Sequence, residues 1–499
     1  MNISHRLLLL RSTLINVHMR GRIVSYIIIF IGAWLRIHAQ VQDVRLEPDE
    51  AWFSTFARAA ALNGDWWLPG PLDKPPLAIY LNALAQALVG DSEFGARLAS
   101  TIAGILLIPV MIAVTQAWYR DTPRQKTAIA LLTGILTALS PFAIVFSATA
   151  YTDSLMLLTM TVALWQAGRN HWGWAGFWLV ISIASKPQGI FYLPLVLALG
   201  WAAGELSARR VLRLSVGFGI TGALLLIWDF TRPGTSVFAL AAVHNDPTRL
   251  IRANEMVPRL HSWLEQSGLL LGPGWLTLTL VVISVFAVIL GVIRQPRQRN
   301  TFIDVMLLNF VVAFALIHGL LAFNTFDRYL LPLLPPLILL AARAMVAFSP
   351  SRRVAGWVSL TASLVLLPTA FNASDYRTPL SSERQQYTGI DDVAAFLNTQ
   401  PVATVIYDHW LGWELGYYLG QWHDKRVVYY PDPQTLVRDA LRLCEIGPRY
   451  FPVPTNQSSH RWLEALQQAR FQAEIAFDNG QYVIYRLTPP WQHVDDYSG

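Results

Sequence analysis

Between residues 23 and 371 the chain repeats one pattern: an apolar run of near-spanning length, a short polar break, and another apolar run. A helix crosses the hydrocarbon core of a bilayer with about 20 apolar residues. Only helices and closed barrels satisfy every backbone polar group there. Eleven runs stand out, near 23–39, 95–118, 128–148, 153–168, 172–185, 188–204, 211–229, 269–293, 302–323, 329–348 and 354–371. Those at 153–168 and 172–185 are short for a span. The first run lacks a small-residue cleavage site and is read as a retained span. The expected fold is mainly α, a polytopic membrane helix bundle of about 11 spans.

Charge divides the chain further. Residues 372–499 hold 25 of the 70 Asp, Glu, Lys and Arg residues, and the much longer 1–371 holds the other 45. So sparse a charge content in the long part excludes one large soluble enzyme as well as disorder. The tail alternates short β-like runs (402–407, 426–430, 449–453, 471–477, 481–487) with helical ones (390–398, 413–420, 433–442, 460–469). We therefore expect two domains, a membrane domain over 1–371 and a small α/β domain over 372–499. The basic surplus of the chain sits in loops between apolar runs, so it is no sign of nucleic-acid binding.

Those basic loops orient the bundle. With the N-terminus inside, the inner segments carry 16 Lys and Arg residues against Asp121 and Glu205. The expected topology is N-terminus cytoplasmic and C-terminal domain outside, in the plasma (inner) membrane. Segments 40–94 and 230–268 become outer loops. The apolar stretches at 50–63 and 75–90 are read as helices on the outer surface of the bilayer. A single cysteine, Cys444, excludes an intrachain disulfide and is expected to pack as a small apolar residue.

Ionisable residues collect on that outer face. Asp49-Glu50, in RLEPDEAWF, can serve as base, metal ligand or sugar contact, or can cap a following helix. Lysine is rare, four residues in all, and two precede proline: Lys74 in PLDKPPL and Lys186 in ASKPQG. Each can neutralise a lipid phosphate or snorkel from a span end. Asp153, in YTDSL, either faces a cavity or opens a helix. Arg328 and Tyr329 stand in FDRYLLPLLPP, where the guanidinium suits a phosphate or a pairing with Asp327. His244 and His261, with Asp73 or Glu50, form a candidate divalent-ion set. Arg249 and Arg252 suit an anionic substrate or an amphipathic loop helix. Within the spans, Asp304, His318 and Arg343 are the ionisable exceptions. Carboxylates and cations together on one face suit transfer of a group from a membrane-embedded phosphate ester to a hydroxyl. A transporter or lipid flippase is the alternative that shares the many spans.

EPDEAWF, DKPPLAIYL, EFGARLAS, YTDSL, SKPQGIFYLP and RYLLPLLPPLILLAA, in that order over about 1–350, resemble the GT-C type membrane glycosyltransferases. The similarity is to the group of protein O-mannosyltransferases and 4-amino-4-deoxy-L-arabinose lipid A transferases. It implies a helical bundle with surface helices in the first outer loop. It also implies a polyprenyl-phosphate sugar donor, a lipid, glycan or protein acceptor, and inversion at the anomeric carbon. On that resemblance Asp49 is the general base, Glu50 positions acceptor or base, and Asp153 is a further acidic site position. Lys74 binds the lipid phosphate and Arg328 stabilises it as it leaves. Asp73 and His244 resemble a metal-holding pair, with Asp in place of the family's Glu; no other cofactor is required.

Overall fold

The computed structural model describes residues 3–121, 123–245, 249–381, 384–443 and 448–493. Cys444 lies outside them. The chain forms two compact units, one of Met1–Gln42 with Asp65–Ser381, the other of Asp43–Gly64 with Ser382–Gly499. The expected first outer loop is thus divided. Its part up to Gly64 packs with the C-terminal domain and its remainder with the helical bundle.

Each of the eleven apolar runs falls largely in helix in the first unit. Among the described residues seven helices are long and apolar enough to cross a bilayer: Gly21–Gln40, Glu93–Trp118, Ala208–Thr231, Gly274–Arg294, Arg299–Leu320, Asp327–Ala347 and Arg353–Ser374. An eighth span arises if Gln125–Leu139 and Pro141–Ser147, bent by 53°, count as one. The cause of the bend is Pro141, which has no N–H to donate and clashes with the preceding turn. It leaves the Thr137 carbonyl without its helical partner, and the fully buried Arg36 donates to that carbonyl and to that of Ala138, at 2.9 and 3.1 Å. Arg36 was not among the ionisable exceptions read from the sequence, because it stands near the end of its own apolar run. The helices Asp153–Gly168 and Trp172–Ser185 and the broken pair over Pro187–Ala202 are shorter.

Close helix contact in this unit rests on small residues, as in other membrane bundles. Gly176 and Gly217 bring the Trp172–Ser185 and Ala208–Thr231 helices together backbone to backbone. A β-carbon at either position would run into the opposite main chain. The ionisable exceptions read from the sequence find partners within the bundle. Tyr119 donates to Asp304 at 2.6 Å and Arg343 lies 3.4 Å from the same carboxylate. His318 is buried, stacked on Phe314 with ring centroids 3.9 Å apart.

In the second unit five strands form one sheet: β1 (Val405–Asp408), β2 (Arg426–Tyr429), β3 (Arg449–Pro454), β4 (Gln472–Asp478) and β5 (Tyr482–Thr488). Their order is β2-β1-β3-β5-β4. β1 is parallel to β2 and β3, while β5 runs antiparallel to β3 and β4. Helices at Ile390–Asn398, Gly412–Leu419, Pro433–Arg442 and His460–Gln468 cover it. Apolar residues fill both faces, Ile406, Leu415 and Ile484 on one side and Tyr407, Phe451 and Trp462 on the other. To this unit belongs the helix Pro48–Asn63, which ends at Gly64 in the left-handed conformation (φ 75°) that glycine adopts without strain.

Candidate functional site

Two lysines of the first unit meet at one cavity. Lys186 stands between the Trp172–Ser185 helix and a 3₁₀ turn that begins at Pro187. A residue before proline is driven out of the α region, and Lys186 is extended (φ −155°, ψ 136°). Its ammonium lies 2.6 Å from Asp153 and 4.4 Å from the centre of the Tyr329 ring. With both partners 3% exposed, Lys186 does not snorkel to water. Asp153 opens the Asp153–Gly168 helix and spends its carboxylate on this ion pair. The loop ahead of it is tied from three directions. Asn82 donates to the Ala150 carbonyl (3.3 Å), Ser100 to that of Tyr151 (2.9 Å) and Tyr376 to that of Ala148 (3.1 Å).

Arg328 is held beside the same loop. Its guanidinium stacks over Tyr151 at 4.4 Å and Phe326 at 5.0 Å. Asp327 accepts the Arg328 main-chain N–H at 2.7 Å. Tyr192 ties the following turn to its neighbour by donating to the Pro332 carbonyl at 2.8 Å. Tyr151, two residues before the acidic position that the YTDSL motif suggests, is a site residue that sequence reasoning missed.

Lys74 reaches the cavity from the 65–76 segment. Arg232 pins that segment by donating to the carbonyls of Leu68 (2.8 Å) and Gly70 (2.7 Å). Lys74 is buried and pairs with Asp73 at 2.6 Å. His244 lies 3.0 Å from the same Asp73 oxygen. It is carried by the Val237–Asn245 helix, whose first N–H donates to Asp229 at 2.9 Å. Burial works to raise the Asp73 carboxyl, but Lys74 and His244 outweigh it and hold the group below the usual aspartate range. Asp73 Oδ1 is buried with no hydrogen-bond partner.

Lys74, Lys186 and Tyr329 line a cavity of about 240 Å³. Its other walls are largely apolar, with Phe191, Phe238, Phe323 and Ile190 among them. Ammonium groups on an apolar slot suit an amphiphile whose head is anionic. Arg249 and His261 belong elsewhere. Arg249 pairs with Glu255 at 3.1 Å, and His261 is exposed on the amphipathic Ala253–Ser267 helix, the plainer of the two readings of that loop.

Asp49 and Glu50 lie in the second unit, at the start of the Pro48–Asn63 helix. Glu50 is fully buried and accepts the Glu47 N–H at 3.2 Å, reaching back over the helix start. Its capping role is therefore visible in the geometry. Asp49 is half-buried beside it.

Most of the chain superposes on ArnT from Cupriavidus metallidurans in its crystal structure with undecaprenyl phosphate, with a TM-score of 0.64 at 15% identity. The match covers 94% of this chain and 98% of that one. The chain has the GT-C fold. The oligosaccharyltransferase of Archaeoglobus fulgidus shares the GT-C architecture at a TM-score of 0.58, 12% identity, and 93% and 74% coverage of the two chains. In sequence, the family model of the dolichyl-phosphate-mannose-protein mannosyltransferases matches residues 73–229. That segment contains Asp73, Lys74, Asp153 and Lys186. The undecaprenyl phosphate-α-4-amino-4-deoxy-L-arabinose arabinosyl transferase of Pseudomonas aeruginosa is 26% identical over 317 residues, 60% of this chain and 55% of the relative. That of Pectobacterium carotovorum is 24% identical over 344 residues, 64% and 59%. The match thus spans little more than half the length of these relatives. The resemblance to the GT-C group read from the sequence motifs holds, and with its apolar helices the chain is a multi-pass membrane protein.

Proposed function

We propose that the protein transfers a sugar from a polyprenyl phosphate to a hydroxyl of a lipid, glycan or protein acceptor, with inversion at the anomeric carbon. The observation that carries this reading is the apolar-walled cavity with Lys74 and Lys186 at it. A prenyl chain fits the walls and a phosphate fits the ammonium groups. The basic loops support an N-terminus in the cytoplasm of a cell with an inner membrane. They likewise support an outer-face position for the site and for the C-terminal domain. The similar arabinosyl transferases act on an undecaprenyl phosphate-linked donor by name, and this supports a donor of that class.

In the reaction the acceptor oxygen bonds to the anomeric carbon as the bond from that carbon to the phosphate oxygen breaks. The acceptor proton passes to Asp49, and both bonding electrons leave with the polyprenyl phosphate, which gains a negative charge. Lys74 and Arg328 stabilise that charge. Asp153 orients the Lys186 ammonium, and the Tyr329 ring holds it from its face. Asp73 and His244 fit a divalent ion as two of its ligands, since Asp73 Oδ1 is buried and unpaired. Among the described residues no cluster of three or more His, Cys, Asp or Glu surrounds them. A bound ion there would supply further positive charge near the phosphate.

The test uses purified full-length protein and radiolabelled undecaprenyl-phosphate sugars, with membrane lipid and protein fractions as acceptors. Wild type should move label, and Asp49→Asn should lose about 10²–10⁴-fold in rate, the usual contribution of a general base. Lys74→Ala should lose undecaprenyl phosphate binding. Binding of the lipid phosphate with no transfer of any sugar by wild type would replace this reading with lipid translocation.

A further inference from the structure

The second unit holds an acidic side chain that the reaction above does not use. The Pro48–Asn63 helix is locked onto the Gly412–Leu419 helix of the C-terminal domain. Trp52 and Phe56 pack on Trp413 with ring centroids 6.1 and 5.9 Å apart. The Arg58 guanidinium lies 3.8 Å from the centre of the Tyr417 ring and donates to the Tyr417 carbonyl at 2.7 Å. At the other end Leu46 donates its N–H to the Tyr418 hydroxyl at 2.8 Å, and Leu46 and Ala51 bury Tyr417. Asp49 lies between these fastenings, so its place is set by a helix more than 360 residues later in the chain.

Glu414 follows Trp413 on that same helix and is only 4% exposed. The charged groups acting on it most strongly are acids: Asp408, at the end of β1, and Asp49 and Glu47, at the start of the Pro48–Asn63 helix. From β5, Tyr482 faces it, and Asp391 of the Ile390–Asn398 helix acts on that same Tyr482. Asp408 is itself committed, accepting the main-chain N–H groups of Leu411 and Gly412 at 2.9 and 2.7 Å. Burial first, and these like charges after it, push Glu414 up to about 8, although a main-chain hydrogen bond opposes them. Carboxyls crowded together divide into protonated and ionised members.

We propose that Glu414 is a positioning residue for the transfer: the packed Gly412–Leu419 helix holds its buried carboxyl against the start of the Pro48–Asn63 helix, and so keeps Asp49 in place. The Gly412–Leu419 helix then sets the position of the proposed base within the second unit. Ionisation of Glu414 at this packed face would drive the two helices apart and displace Asp49. This inference rests on the transfer reading above.

Two measurements on the full chain test it. In the first, kcat and KM for the undecaprenyl-phosphate sugar panel are followed from pH 6 to 10 for wild type, Glu414→Ala and Glu414→Gln. Wild-type kcat should fall about tenfold per pH unit above about 8, with KM for the donor unchanged, as for one essential protonated group. Glu414→Ala should lose kcat at every pH, and Glu414→Gln should restore it and abolish the alkaline fall. In the second, amide hydrogen exchange over residues 46–58 is followed across the same range. Protection should drop above about pH 8 in wild type and stay level in Glu414→Gln. An alkaline fall and an exchange profile in Glu414→Gln identical to wild type would overturn the proposal. Should wild type transfer no sugar, the transfer reading fails, and the exchange profile alone then decides whether Glu414 controls the Asp49 helix.

Discussion

Asp153 in the membrane unit and Glu414 in the C-terminal unit are buried almost equally, at 2% and 4% exposure, and they meet the cost of burial in opposite ways. Asp153 keeps an ammonium 2.6 Å away and an aromatic ring behind that ammonium. Glu414 is surrounded by other acids and holds on to its proton. The difference shows what each unit is built around. The membrane unit spends two of its few lysines to keep cations at an apolar cavity. The C-terminal unit keeps a crowded acidic face workable by lowering its total charge.

The contrast breaks most visibly if one partner of the ion pair is removed. Lys186→Met leaves an uncompensated carboxylate, and such a loss destabilises a buried pair by about 3–5 kcal/mol. Denaturation in detergent should show it. The double variant Asp153→Asn/Lys186→Met should recover most of the stability, while transfer stays lost. If Glu414→Gln at neutral pH were equally damaging, the two acids would not differ as described.

Titration sharpens the contrast, because the two units should respond to pH with opposite sign. Glu414 is raised, so the unfolded chain releases its proton first, and its contribution to stability falls as pH rises from the ordinary glutamate range through about 8. Asp73 is depressed by Lys74 and His244, so its contribution is full above the ordinary aspartate range and is lost as pH falls through its lowered value. Thermal denaturation against pH should lose its alkaline slope in Glu414→Gln and part of its acid slope in Asp73→Asn. A change of the alkaline slope in Asp73→Asn would contradict the assignment. The smallest effect is expected at Glu50. If its part is to cap the 48–63 helix, Glu50→Ala costs about 0.5–2 kcal/mol, the ordinary loss at a helix start. Transfer should then fall far less than in Asp49→Asn, which the same assay would report.

Much of this was legible before any coordinates. Apolar periodicity placed all eleven helical runs, and the alternation of the tail placed its five strands and four helices, because both signals are local. Lys74 and Lys186 were legible because lysine is rare and both precede proline. The Asp153–Lys186 pair was not, since either residue alone also reads as a helix start or a span end. The 40–94 segment read as one outer loop, because charge reports the side of a membrane and says nothing of packing partners. Trp52 stacks on Trp413, a pairing between distant segments that no local pattern announces. Glu414 carried no signal at all. In GWELGYYL it is an ordinary helix residue, and only burial against a segment from the other end of the chain gives it a distinct chemistry.

The division of the chain also sets an order of assembly. Residues 43–64 leave the ribosome early, yet the helix they form completes its packing only on residues after 382, about 320 positions later. At a synthesis rate of about 5–20 residues per second, that interval lasts roughly 15–60 s. Through it, the segment carrying Asp49 has an apolar face and no surface to lay it on. On the transfer reading, the proposed base is therefore fixed in place only after residues 412–419 have been made.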